Sequence, residues 1–267
     1  MENTRPQGVK KSTIYLNSHV PQNPSLEYAE SIEIPKRITR IISKGGGSTI
    51  DVGKWLARKF HVKHTAIPTT AGTGSEVTKY CVLTVDGKKQ TFVDDAFIPD
   101  RYVLDGANVV SLPPLFTVAT GLDALCQAYE SLWSKQATTE SKAYAEEAIR
   151  LVNEFLPKCL KSPNKVAYRE QMLKAANLSG RAINIAPTNV CHAISYPLTT
   201  WYQIPHGIAC SLTLKYFGAR LGYDITLPWV CKYKIDKKKV AKETINHPKL
   251  NGFPLEITEK DICEALN

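Results

Sequence analysis

The chain has 267 residues, 43% of them hydrophobic and 22% charged, which is globular texture and excludes disordered, collagen-like and low-complexity classes. At about 150 residues per domain this length allows one large or two small domains. Lysine and arginine total 34 against 25 acidic residues, a net charge of +9 that suits an anionic ligand, a phosphorylated cofactor or nucleic acid without choosing among them.

Residues 1–40 carry little periodicity and are punctuated by Pro6, Pro21, Pro24 and Pro35. The start lacks the apolar core of a signal peptide, and no apolar run approaches the roughly 18 residues of a membrane span, so a soluble, cytoplasmic chain with no membrane partner is expected. Residues 37–42 read as a short strand running into Gly45-Gly46-Gly47-Ser48 and a helix over 49–59. Thr65-Ala66-Ile67-Pro68 leads into a second glycine-rich loop, 69–76, and residues 77–85 and 89–93 flank Asp86-Gly87, a hairpin signal. Residues 102–105 could add one more strand.

From Pro113 onward the pattern turns helical, with helices expected over 115–133, 138–156, 166–184 and 261–266, the second of them closed by Pro157. A boundary near residues 111–114 divides the chain into an α/β unit, 1–111, and a helical unit, 112–267. Lys232, Lys234, Lys237, Lys238, Lys239 and Lys242 read as the solvated face of a helix rather than a nucleic-acid patch, so no nucleic-acid partner is expected. Seven cysteines, odd in number and without a C-x-x-C pair, fit reduced, mostly buried thiols.

A glycine turn between strand and helix lets backbone amides approach a phosphate at the helix N-terminus. Gly-x-Gly-x-x-Gly fails at Ser48 and Ile50, the P-loop pattern fails around Gly53-Lys54, and residues 72–76 lack the Gly-x-Ser-x-Gly elbow. Asp123 and Gln127, four apart on a helix, share one face and could point at one ion; His192 and His206 could converge on it. Taken singly, each of the four also reads as an ordinary structural or solvated residue.

The order of the blocks is more specific. Residues 45–54 and 67–76, then Tyr102-Val103-Leu104-Asp105, Ser111-Leu112-Pro113, residues 119–125 and Pro205-His206-Gly207 together resemble the iron-containing alcohol dehydrogenase family. The resemblance implies a dinucleotide-binding α/β domain followed by an all-helical metal domain, a dehydroquinate synthase-like arrangement with the metal in the cleft between them. It implies NAD or NADP held by Gly46, Gly47, Ser48, Asp51, Thr69, Thr70 and Ser75, with Lys88 or Lys89 near the ribose. It also implies a divalent metal, Fe²⁺ or Zn²⁺, at Asp123, His192 and His206, with Gln127 where the family carries a further histidine. Tyr196 stands where many relatives have a histidine near the reacting carbonyl, and is the candidate proton donor.

Residues 122–134, 180–185 and 192–199 look most like the phosphonoacetaldehyde reductase branch, with Arg181 or Lys174 available to a phosphonate. The function this implies is a metal-dependent alcohol dehydrogenase or aldehyde reductase for a small aldehyde, a homo-oligomer being open. Relatives begin with an additional strand, helix and strand that residues 1–40 do not show, so the chain reads as a shortened member with an incomplete nucleotide-binding sheet. The rival reading is a truncated, non-catalytic remnant acting as a binding or interaction protein.

Overall fold

Strand structure begins earlier than the sequence pattern suggests. The computed structural model describes residues 12–17, 19–35, 37–227 and 233–267. Within it Ser12–Leu16 forms β1 and Leu26–Ser31 a short helix, α1, whose start is capped by the Ser25 hydroxyl accepting from Tyr28 N at 3.0 Å. The chain continues through β2 (Ile38–Gly45), α2 (Gly47–Phe60) and β3 (Lys63–Pro68). An antiparallel hairpin follows, β4 (Tyr80–Val85) and β5 (Lys88–Val93), and its turn residues Asp86 and Gly87 have φ of 49° and 74°, the left-handed pair that a two-residue hairpin turn requires.

The last strand, β6 (Arg101–Tyr102), is shorter than the expected 102–105. Val103 N still reaches Ala66 O at 3.0 Å, but the Asp105 carboxylate turns to accept from Ala107 N and starts a 3₁₀ turn instead. The four strands are parallel in the order β1-β2-β3-β6. Gly45 pairs with Pro68, so β2 and β3 end level and both glycine loops leave the same carboxyl edge, where open α/β sheets bind their ligands.

The remaining elements are helical: α3 (Pro114–Trp133), α4 (Thr139–Lys161), α5 (Val166–Ile185), α6 (Val190–Tyr202), α7 (His206–Arg220), α8 (Lys237–Thr244) and α9 (Glu259–Ala265). The chain is therefore α/β followed by all-α. Pro157 does not stop α4. The hydrogen bond it removes would have gone to Asn153, which is exposed to water, while the next turn buries Cys159 beside the buried Leu156; that burial offsets the ~3 kcal/mol cost of an interior proline. On α8, Lys238, Lys239 and Lys242 face solvent and Val240, Ala241 and Thr244 face inward, as a solvated helix face requires. Trp229, Cys231 and Lys232 lie outside the described residues, and the six described cysteines are all free thiols.

Apolar side chains gather in two main clusters. Ile41, Val52, Leu56, Leu83 and Phe97 fill the space between sheet, α2 and hairpin. Leu122, Leu125, Leu156, Met172, Ile194 and Phe217 fill the helical part. Among the described residues no helix is long and apolar enough to cross a membrane.

His64 on β3 is buried with Nε2 on the Ser43 hydroxyl at 2.9 Å and Nδ1 without a partner. Burial, reinforced by the Lys54 charge, lowers its pKa from 6.5 to about 3. The unfolded chain binds this proton below pH 6.5 and the folded one does not, so the stability gained from neutral His64 is present above 6.5 and is lost as pH falls toward 3. At roughly 1.4 kcal/mol per pH unit, His64 should cost roughly 2–3 kcal/mol between pH 6.5 and pH 4.5. Urea titrations of the parent and of His64→Gln across this range should show a steeper acid loss in the parent; equal slopes would contradict the assignment.

Candidate metal and nucleotide site

Helix α2 starts at Gly47 with Gly46 at its N-cap and no side chain capping it, so its first amides are left for an outside acceptor. A Cβ at Gly47 would stand 2.8 Å from Thr73 Cγ2, and one at Gly46 would stand 3.4 Å from Thr70. The two loops thus lie against each other, and Thr69 N donates to Gly45 O at 3.0 Å. The structure brings Gly46, Gly47, Ser48, Thr69 and Thr70 to one edge, each only partly buried. That uncapped helix end and its side-chain-free cradle fit the diphosphate of a dinucleotide.

Asp51 and Ser75 sit differently from the sequence expectation that both face this ligand. Asp51 is buried and accepts from Ser75 Oγ at 2.6 Å and Val82 N at 3.0 Å, with Lys54 Nζ 3.8 Å away. Lys54, wholly buried, donates to Thr78 O, Thr78 Oγ1 and Tyr80 O. Both residues are taken up in fastening the second loop and the hairpin to α2. Their spacing in the sequence carried no information about which way they point.

The second cluster is assembled from three helices. Asp123 comes from α3, His192 from the first turn of α6, and His206 and Cys210 from one face of α7. One donor atom from each lies within 4.8 Å of every other. His192 Nε2 is 3.4 Å and His206 Nε2 3.8 Å from Asp123 Oδ1, and Cys210 Sγ is 3.9 Å from His206 Nε2.

Hydrogen bonds fix how the imidazoles present themselves. His192 Nδ1 bonds the Glu130 carboxylate, an acceptor only, so Nδ1 keeps its proton and Nε2 is the nitrogen available to a cation. Ser195 Oγ gives its one proton to His192 O at 2.8 Å and so accepts from His206 Nδ1 at 3.4 Å. Both Nε2 lone pairs therefore aim at the Asp123 carboxylate, and His192 Nε2 is buried with no hydrogen-bond partner. Two lone pairs, a carboxylate and a thiol converging on one buried point fit a divalent metal. Burial opposes charge on His192, but the Cys210 and Glu130 charges more than offset it and raise its pKa well above the usual value, so Nε2 exposes its lone pair only when a cation takes the proton's place. Burial likewise opposes ionisation of Cys210, and the two histidines override it and lower its pKa. The cluster demands positive charge.

Gln127, expected as a fourth ligand, lies against Asp123 with its amide nitrogen rather than its carbonyl oxygen toward it. Its Nε2 faces two acceptors, Thr73 O at 3.4 Å and Asp123 Oδ1 at 3.3 Å, while Oε1 accepts from Ser179 Oγ at 3.0 Å. Two acceptors on one side dictate that the amide nitrogen points there, so the carbonyl oxygen is turned away from the histidines. Tyr196 lies one turn beyond His192 on α6, half-buried, its ring tilted on that of His247 at 5.3 Å. Lys89 of the hairpin is held partly out of water, which lowers its pKa against the attraction of the Cys210 and Asp123 charges, whereas Lys88 is exposed. Arg181 is occupied by Asn177 and Tyr102, and Lys174 pairs with Glu147 on the surface.

Glu130 and Cys210 were not singled out from the sequence. Glu130 lies seven residues after Asp123, on the same face of α3, and an acid within the apolar run 122–133 was the available signal. Cys210 follows His206 by four residues. A depression of about 590 Å³ opens at the opposite, amino ends of the strands between Arg58, His61, Lys63, Asp94 and Asp100. Its charges pair with one another, Arg58 with Asp94 at 2.6 Å and Lys63 with Asp100 at 2.5 Å, and neither the glycine loops nor Asp123, His192 and His206 line it.

The sequence and fold match known proteins consistently. Residues 8–106 match the family model described as iron-containing alcohol dehydrogenase, and residues 117–247 match that of the Fe-containing alcohol dehydrogenase family, C-terminal. The chain belongs to the iron-containing alcohol dehydrogenase family. It is 38% identical over 191 residues to 1-propanol dehydrogenase PduQ of Citrobacter freundii, covering 67% of this chain and 52% of that protein. It is 31% identical over 221 residues to the NAD-dependent methanol dehydrogenase of Bacillus methanolicus, covering 74% and 58%. The chain spans about half the length of the curated relatives it matches. Among solved structures, sulfoacetaldehyde reductase from Bifidobacterium kashiwanohense in complex with NAD⁺ superposes with a TM-score of 0.87 at 27% identity, over 96% of this chain and 90% of that one.

Glu130→Gln keeps the shape and removes the charge shared by Asn189 N, Cys191 N, His192 N and His192 Nδ1. Hydrogen bonds to a charged group contribute about 1.5–3 kcal/mol each, and partners that orient a metal-binding histidine typically matter about 10–100-fold in metal affinity. The variant should therefore melt lower and release Zn²⁺ to a chelator more readily. Parent-like values in both measurements would remove Glu130 from this role.

Proposed function

We propose that this chain is a metal-dependent oxidoreductase that passes hydride between a nicotinamide cofactor, NAD or NADP, and a small alcohol–aldehyde pair. The observation that carries the reading is the convergence of the His192 and His206 lone pairs on Asp123, facing loops that leave the helix α2 amides free. Residues 1–111 would hold the cofactor, with Gly46, Gly47, Ser48, Thr69 and Thr70 at its diphosphate and Asp51 and Ser75 fixing the loop behind them. Residues 112–267 would hold the metal through Asp123, His192 and His206. A divalent metal bound there supplies Lewis-acid polarisation of a carbonyl.

The chain's own residues do the rest. Glu130 keeps His192 in the metal-binding tautomer, and Ser195 does the same for His206. Tyr196, held by the His247 ring, is the group we assign to moving a proton at the substrate oxygen. Lys89 lies within electrostatic reach of Cys210 and Asp123, and a lysine there favours an aldehyde carrying an anion. A phosphonate-bearing aldehyde suits that charge, and one similar solved protein is named for a sulfonate-bearing aldehyde. Arg181 and Lys174 do not enter this recognition, since both are occupied elsewhere.

Gly46→Val tests the cofactor half. A Cβ there meets Thr70 at 3.4 Å, an ordinary contact, so the fold should hold while the branched side chain covers the α2 amides. The parent, loaded with Zn²⁺ or Fe²⁺, should enhance NADH fluorescence and reduce small aldehydes; the variant should lose the enhancement at an unchanged melting temperature. A parent that binds NADH and metal without turnover would favour the non-catalytic binding protein instead. No binding by the parent at millimolar NADH would overturn the proposal.

A further inference from the structure

We infer that Cys210 is a metal ligand, and that the ion is held by Asp123, His192, His206 and Cys210 with Gln127 outside the coordination sphere. The inference rests on the metal-binding reading of this cluster and decides which residue completes it. A glutamine four residues after Asp123 leaves the ligand set one donor short, and its carbonyl oxygen is already engaged by Ser179. Cys210 supplies the missing donor from α7. It follows His206 by four residues, so both project from one face of α7.

Distances support the same assignment. With metal–nitrogen and metal–oxygen bonds of about 2.0–2.1 Å and a metal–sulfur bond of about 2.3 Å, four such donors stand about 3.3–3.6 Å apart in a tetrahedron, a set that expands to five when a substrate oxygen joins it. The donor atoms stand at 3.4 Å (His192 to Asp123), 3.8 Å (His206 to Asp123) and 3.9 Å (Cys210 to His206), within about half an ångström of those edges. The second, independent observation is His192 Nε2, buried, unpartnered and aimed into the same point. Cys210 has no exposed surface, so water does not compete for its sulfur. As the sulfur–metal bond forms, the thiol proton leaves to solvent and no electrons are transferred. A thiolate in the set favours zinc or cobalt over the harder, oxygen-rich environments that suit magnesium or manganese.

The test is Co²⁺ binding to the full chain under anaerobic conditions, read by absorption rather than turnover. The parent should take up one Co²⁺ with visible ligand-field bands and a near-ultraviolet thiolate-to-Co²⁺ charge-transfer band. Cys210→Ser should keep ligand-field bands, lose the charge-transfer band and bind Co²⁺ at least about tenfold more weakly, while Cys126→Ser keeps the charge-transfer band. Ligand-field bands in the parent without charge transfer, or a charge-transfer band that survives in Cys210→Ser, overturns the thiolate and leaves the metal site standing. No cobalt uptake by the parent overturns both. Should Cys210→Ser fail to fold, X-ray absorption of the zinc-loaded parent decides: one sulfur at about 2.3 Å supports the assignment, and a shell of nitrogen and oxygen alone overturns it.

Discussion

One buried carboxylate ties the helical half of the molecule together. Glu130 has no exposed surface and accepts from Asn189 N at 3.0 Å, Cys191 N at 2.7 Å, His192 N at 3.3 Å and His192 Nδ1. An acid carried by α3 thus serves as the cap of α6, satisfying amides that a helix start leaves open. Asn189 braces the same junction from the other side, donating to Glu130 O at 2.9 Å and accepting from Trp133 Nε1 at 3.0 Å. A buried charge is tolerated only when it is fully paired. The end of α3, the start of α6 and the orientation of His192 are therefore one arrangement rather than three.

The other wall of the cluster depends on a missing side chain. A Cβ at Gly207 would lie 1.9 Å from Ala119 O and 2.6 Å from Asp123 N, so α7 and α3 touch backbone to backbone at the residue next to His206. No other residue type lets Asp123 and His206 approach as they do. With α6 fixed through Glu130 and α7 through Gly207, the donors are placed by main-chain contacts and a saturated carboxylate. Both are stiffer supports than loops, as a ligand constellation requires.

Local signals were legible where local physics decides. Asp86-Gly87 specifies its hairpin because few dipeptides accept two positive φ values, and the β2–glycine–α2 unit is visible because a strand, a turn and an amphipathic helix follow within 23 residues, 38–60. Elements whose stability comes from distant packing were hidden. β1 shows only Ile14 and Leu16 as its apolar alternation, and it is a strand because β2 lies beside it. α6 carries Pro197, Thr199 and Thr200, poor helix formers, yet its face is buried from Val190 to Ser195. The site divides in the same way. Asp123, His192 and His206 could be named from their pattern, but the inward turn of Asp51 depends on Val82 and Ser75, and that of Gln127 depends on Thr73, partners 24 or more residues away.

Thr73 is also where the two loci meet. Its side chain lies where a Gly47 Cβ would fall, its Oγ1 accepts from Ser75 N at 3.3 Å, and its carbonyl accepts from Gln127 Nε2. The next residue, Gly74, has φ of 59°, and a Cβ there would stand 2.6 Å from Ala176 O and from Gly180 Cα, so the loop is pressed onto α5 without slack. A route from the α2 start to Asp123 thus runs through Thr73 and the Gln127 amide. Glutamine does at position 127 what imidazole does not: its two N–H bonds reach Thr73 O and Asp123 Oδ1 together, whereas a neutral histidine has one to give. The residue that joins the glycine-loop edge to Asp123 thus has its carbonyl oxygen on Ser179, while the Cys210 sulfur lies among the Asp123, His192 and His206 donor atoms.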